Sequence, residues 1–374
     1  MMARLDKICL LNMGQSPDSS SYNEECRGIP FFQGNADFGT IHPNVRVWCD
    51  APTKIAHTGD ILISVRAPIG ALNISNTECC IGRGLAALTV NESVCSKKYL
   101  WYAISSKVDE LNAKGTGSTF KAISKNVLAE TEISLPTMER QVKIASELEL
   151  ITTLISLRKQ QLSKLDELVK SRFIELFGDT ILNPFGWEKD SLGTVCDVRD
   201  GTHDSPTYYE IGYPLVTSKN VTGGKIDLTD CSFICEEDFN KINERSKVDI
   251  GDIIMPMIGT VGKPVIVDME PIFAIKNVAL IKFKADLRVL NIYIRALLQS
   301  DYFDDVVLSK VRGGTQKFIS LGDIRKLEIL VPPMELQNQF AAFVKQTDKS
   351  KLAIQKSLEK LETLKKALMQ KYFG

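Results

Sequence analysis

The chain has 374 residues, 44% hydrophobic and 25% charged, with no low-complexity run, so it is a folded globular protein too long for one ordinary core; two or three domains are expected. Its 46 basic and 46 acidic residues cancel. That balance argues against a protein that clamps DNA alone by neutralising phosphates, and any such role needs local basic patches or a basic partner.

At the N-terminus, Met1 to Met13 holds only the short apolar stretch Ile8 to Leu11, too short for a secretory signal or a membrane span, so a cytoplasmic protein without a membrane partner is expected. Nine scattered cysteines (Cys9, Cys26, Cys49, Cys79, Cys80, Cys95, Cys196, Cys231, Cys235) include no Cys-x-x-Cys pair, which predicts free, mostly buried thiols. His42, His57 and His203 stand at no metal-ligand spacing, so no metal site is expected. Residues 1–137 read as short strands bounded by turn residues, for example Ile61 to Val65 after the turn Gly59-Asp60.

Residues 138–178 change character. Ile144, Leu148, Ile151, Ile155, Leu162, Leu165, Val169 and Leu176 recur at alternating steps of three and four, with Arg158 and Arg172 in the gaps, which is a heptad seam on a helix. Residues 179–333 return to the strand-and-turn pattern, with Gly251-Asp252 ahead of Ile253 to Met255. Residues 334–374 form a second heptad helix through Phe340, Val344, Ile354, Leu358, Leu361, Leu368 and Tyr372, with Thr347, Lys351 and Lys365 as its exceptions. Pro136 and Pro332-Pro333 suit the helix starts, and Gly178 and Gly374 the stops. Each helix would run about 58 Å at roughly 1.5 Å per residue, and neither stripe can remain in water. The expected fold is therefore α+β, with two strand-rich α/β units joined by two long antiparallel helices that form a coiled coil, in a pseudo-twofold internal repeat.

The repeat is visible directly. Gly117-Ser118-Thr119-Phe120-Lys121-Ala122-Ile123-Ser124 aligns with Gly313-Gly314-Thr315-Gln316-Lys317-Phe318-Ile319-Ser320 at an offset of 196, and the register holds without a gap to Phe177-Gly178 against Phe373-Gly374. The chain stops where its first half would begin again, so its C-terminus is expected beside Met1. Upstream only punctuation survives: Leu5, Cys9 and Gly14 against Leu192, Cys196 and Gly201, then Gly59-Asp60-Ile61 against Gly251-Asp252-Ile253. A scaffold has been duplicated and its globular parts have diverged.

Catalytic machinery is not legible. Asn183-Pro184-Phe185-Gly186-Trp187 lacks the second proline and the preceding Gly-x-Gly that an adenine methyltransferase needs to hold a flipped base beside its donor, and reads as a turn. Gly259-Thr260-Val261-Gly262-Lys263-Pro264 has the wrong spacing for a P-loop and a proline in place of the hydroxyl. Nucleic-acid chemistry is better served by the repeated loops, where glycines let backbone N–H groups approach phosphate and hydroxyl, lysine, arginine or glutamine side chains add contacts. The DNA-binding candidates are Arg66, Arg83, Lys114, Thr116, Ser118, Thr119 and Lys121 in the first unit, and Lys219, Asn220, Lys263, Lys276, Arg312, Thr315, Gln316 and Lys317 in the second. Tyr208-Tyr209 and Glu236-Glu237-Asp238 read as ordinary surface. Residues 179–333 hold 18 basic and 23 acidic residues, so the isolated chain is expected to bind DNA weakly and with strong salt dependence.

Ile133-Ser134-Leu135-Pro136-Thr137-Met138-Glu139-Arg140-Gln141, its copy Val331 to Gln337, the helix end Phe173-Ile174-Glu175-Leu176-Phe177-Gly178-Asp179 and the entry Asn183-Pro184-Phe185-Gly186-Trp187-Glu188 resemble the conserved regions of specificity subunits of type I restriction-modification systems. The resemblance covers the whole chain. It implies two target recognition domains that each read half of a bipartite double-stranded DNA site, two modification (methyltransferase) subunits docked on the chain, and restriction subunits that join for cleavage. It also implies a subunit that is not itself an enzyme, with S-adenosylmethionine, ATP and magnesium belonging to the partners. The chain is short for the family, so a recognition domain could be trimmed. The main alternative is a specificity subunit of another methyltransferase-linked or modification-only defence system; a self-sufficient enzyme and a coiled-coil adaptor that does not bind DNA also stay open.

Overall fold

The computed structural model describes residues 1–117, 121–258, 264–284, 288–313 and 318–374. They divide into two compact units, one built from Met1–Lys159 with Lys356–Gly374 and the other from Gln160–Gln355. Both boundaries fall inside long helices, Met138–Phe177 and Met334–Phe373.

In the first unit a four-stranded antiparallel sheet has the order Cys9–Met13, Leu85–Val90, Ile61–Ser64, Leu72–Ile74. In the second unit the order is Cys196–Asp200, Val278–Phe283, Ile253–Pro256, Val265–Ile266. The two sheets are the same construction from sequences that share little. Each unit also has a second sheet containing one parallel pair, five-stranded in the first with Ile29–Phe32 beside Cys79–Ile81 and three-stranded in the second with Tyr213–Val216 beside Ala274–Ile275.

The surviving punctuation has steric and hydrogen-bonding causes. A Cβ on Gly14 would stand 2.2 Å from the Gly82 carbonyl oxygen, and one on Gly201 would stand 2.4 Å from that of Ile275, so the strand end needs glycine in both units. Gly59 and Gly251 adopt positive φ, +87° and +91°. The aspartate after each staples its own turn: Asp60 accepts from the His57 N–H and Asp252 from the Asp249 N–H, both at 2.8 Å.

Within each unit the long helices run antiparallel and supply part of the core. In the first, Tyr372 donates to Glu147 at 2.5 Å and Lys159 pairs with Glu362 at 3.1 Å, while Ile144, Leu148, Ile151 and Leu358 are buried. Leu368 and Tyr372 pack against that core, and Ile155 and Leu361 are half-buried. In the second, Lys351 pairs with Asp166 at 2.6 Å and the Arg172 guanidinium lies over the Phe343 ring, with Phe340 and Val344 buried and Leu162, Leu165, Val169 and Ile354 half-buried. The polar interruptions of the heptads stay on the seam: Thr347 is buried and donates to the Phe343 carbonyl. Phe173 and Phe177, rather than Leu176, anchor the end of the first helix, because there it packs on the globular residue Tyr293 as well as on Phe340.

A glutamine ties each helix start to its unit. Gln141 is buried, accepts from the Ser96 N–H and donates to the Val94 and Pro136 carbonyls. Gln337 repeats this with the Leu290 N–H and the Arg288 and Pro332 carbonyls. Asn183 closes the turn after the first helix, exchanging hydrogen bonds with the Trp187 backbone, and the Trp187 indole donates to the Phe177 carbonyl.

Candidate nucleic-acid interface

The described flanks of the repeated Gly/Thr/Lys segment are bridged in the first unit. Thr116 and Ala122 exchange backbone hydrogen bonds at 3.0 and 2.9 Å. The loop is fixed to the end of a central strand, since the Ile123 N–H donates to the Val65 carbonyl and the Ala67 N–H to that of Lys121. The Val65 N–H donates in turn to Gly84, next to Arg83. Backbone pairing thus gathers Arg66, Arg83, Lys114, Thr116 and Lys121 at one strand end, and all five are exposed. Arg66, Arg83 and Lys121 form no ion pair with a described residue, whereas Lys114 is held by Glu110 at 2.7 Å. Cations without carboxylate partners at a rim can meet phosphates or base edges without first breaking a bond.

The second unit repeats the same bridges. Arg312 and Phe318 exchange backbone hydrogen bonds at 2.8 Å, and the Ile319 N–H donates to the Met257 carbonyl. Ile258 stands where Arg66 does, and the exposed Arg312, in the place of Thr116, lies 3.4 Å from Asp323. Lys310, at the repeat position of Lys114, is exposed. Ser118, Thr119, Lys263, Thr315, Gln316 and Lys317 fall outside the described residues.

The remaining candidates separate. Lys219 is exposed on a short turn, Ser218–Asn220. Asn220 is buried and its amide is used internally: Oδ1 accepts from the Thr217 N–H and hydroxyl, and Nδ2 donates to the Asp227 carbonyl. It staples a turn, as Asp37 does in the first unit by accepting from the Gln33 N–H. Lys276 is buried and donates to the Ser205 hydroxyl, and the hydroxyl of the exposed Tyr208 lies 3.5 Å from the same ammonium. Glu236, Glu237 and Asp238 open the helix Glu236–Ser246, where carboxylates complement the positive end of the helix. No described helix is long and apolar enough to cross a membrane, and among the described residues no group of three or more His, Cys, Asp or Glu could hold a metal ion.

Comparison with known proteins gives a consistent picture. The family described as type I restriction modification DNA specificity domain matches residues 1–167 and again 184–366. The putative type I restriction enzyme MjaX specificity subunit of Methanocaldococcus jannaschii is 41% identical over 165 residues, which cover 44% of this chain and 39% of that relative. The chain therefore spans well under two thirds of that relative. The MjaIX specificity subunit of the same organism is 27% identical over 85% of this chain and 77% of its own length. The crystal structure of the type I restriction-modification S subunit from M. genitalium superposes over 100% of this chain and 96% of that one with a TM-score of 0.63 at 16% identity, a likeness of fold.

Proposed function

Because the chain belongs to the type I restriction modification DNA specificity domain family, which matches it twice, we propose that each unit reads one half of a bipartite, non-palindromic DNA site. The observation that carries this reading is the pair of β-bridged loops placed identically in both units, one ringed by Arg66, Arg83 and Lys121 and the other by Arg312. The same strand frame presents different side chains: Thr116 against Arg312, Arg66 against Ile258, Arg83 against Lys276. Unlike readers select unlike half-sites.

On this reading the chain recognises DNA and does no chemistry on it. Two modification subunits dock on the helices and recognition units and carry S-adenosylmethionine; restriction subunits carry ATP and magnesium. The helix length sets the spacing between half-sites, near one turn of duplex. The test uses the purified chain and duplex DNA at low ionic strength. Arg66→Ala and Lys121→Ala should each flatten the plot of log affinity against log salt by about one unit. An unchanged slope in both variants contradicts the assignment of this rim to DNA.

A further inference from the structure

Lys276 is a buried ammonium that pairs with no carboxylate among the described residues. It lies between the strands Ala274–Ile275 and Val278–Phe283 and is 9% exposed. Its backbone is pinned, with its N–H donating to the Val216 carbonyl and the adjoining Asn277 N–H donating to that of Thr202. Its Nζ donates to Ser205 Oγ at 2.9 Å, reaches Tyr208 OH only at 3.5 Å, and forms no ion pair with a described residue. An ammonium has three donors, and here one good bond and one long bond go to neutral hydroxyls. A charge taken from water without an anionic partner is costly, so such a site is completed by an anion from outside.

The nearby acid is already occupied. Asp200 accepts from His203 Nε2 at 2.8 Å and is paired with Arg245, and His203 Nδ1 lies 2.9 Å from Asn277 Oδ1. These contacts hold residues 202–209 against the lysine, so its aliphatic stem is covered and its ammonium fixed in place.

We propose that Lys276, flanked by the Ser205 and Tyr208 hydroxyls, receives one backbone phosphodiester of duplex DNA at the half-site of the second unit. This rests on the reading of the chain as a DNA-recognition subunit. The contact supplies affinity and fixes register, and it carries no base identity. Its charge meets no carboxylate among the described residues, which leaves the ammonium to the phosphate.

The experiment pairs thermal unfolding without DNA with binding of a random-sequence duplex across a salt series, on the full chain. Lys276→Met is expected to keep or raise the Tm while flattening the salt dependence by about 0.9, the loss of one phosphate contact. A double variant, Ser205→Ala with Tyr208→Phe, keeps the ammonium; it is expected to weaken binding several-fold with the slope retained. A lower Tm for Lys276→Met with an unchanged slope makes the lysine structural and overturns the proposal. So does stabilisation of the wild type by inorganic phosphate that Lys276→Met abolishes without any change in the DNA slope, which assigns the site to a free anion. If Arg66→Ala and Lys121→Ala flatten the slope and Lys276→Met does not, only the phosphate receptor fails. If the wild-type chain binds no duplex at low salt, the DNA reading fails and the receptor with it.

Discussion

Burial governs the thiols of the core cysteines. Cys9, Cys95 and Cys196 lie in the cores, and burial, which disfavours the thiolate, pushes each thiol from the ordinary 9.0 up to about 12; Cys79 is pushed up to about 11. A group whose folded pKa is raised stabilises the fold fully below its unfolded pKa and loses that contribution as pH climbs toward the folded value. The chain should therefore lose stability progressively between about pH 9 and pH 12, each thiol adding up to about 1.4 kcal/mol per pH unit. Urea midpoints measured from pH 8 to pH 11 test this, and a flat profile above pH 9 contradicts it. In the native state at pH 8 a small thiol reagent should find Cys26, the exposed cysteine, ahead of these four.

Helices and strands are joined by a few buried polar side chains, of which Gln337 is the clearest. Replacing it with leucine strands the Leu290 N–H and the Arg288 and Pro332 carbonyls, an expected loss of about 1–3 kcal/mol per unmet group, measurable by denaturant unfolding. Unchanged stability in Gln337→Leu would show that water or a neighbour satisfies them. Much at this scale was legible beforehand, because heptad spacing and paired turn glycines are local patterns with one physical meaning. The helices, the strand-rich units and the Gly14 and Gly201 punctuation all follow from such patterns. Other parts were hidden because they depend on residues far apart in the chain. Lys276 meets Ser205 across 71 positions. Asn220 has the same letter whether it reads a base or staples a turn, and only its burial decides. Phe173 lies off the expected seam because it packs on the globular residue Tyr293 as well as on Phe340 of the other helix.

For the whole molecule, duplication explains what is kept and what is free to vary. The kept parts, Gln141 and Gln337, the strand order and the loop bridges, hold the backbone; the varied parts, Arg66 against Ile258 and Thr116 against Arg312, sit where that backbone presents side chains. A chain built this way should tolerate exchange of one unit's readers without disturbing the other's. The most direct test is methylation mapping in a host that carries this chain with the modification subunit proposed to dock on it, repeated after residues 1–137 are replaced by those of a family relative. The account predicts a bipartite site with two unlike halves, of which the replacement alters one and leaves the other and the spacing intact. A continuous or symmetric site, or a replacement that changes both halves together, contradicts it.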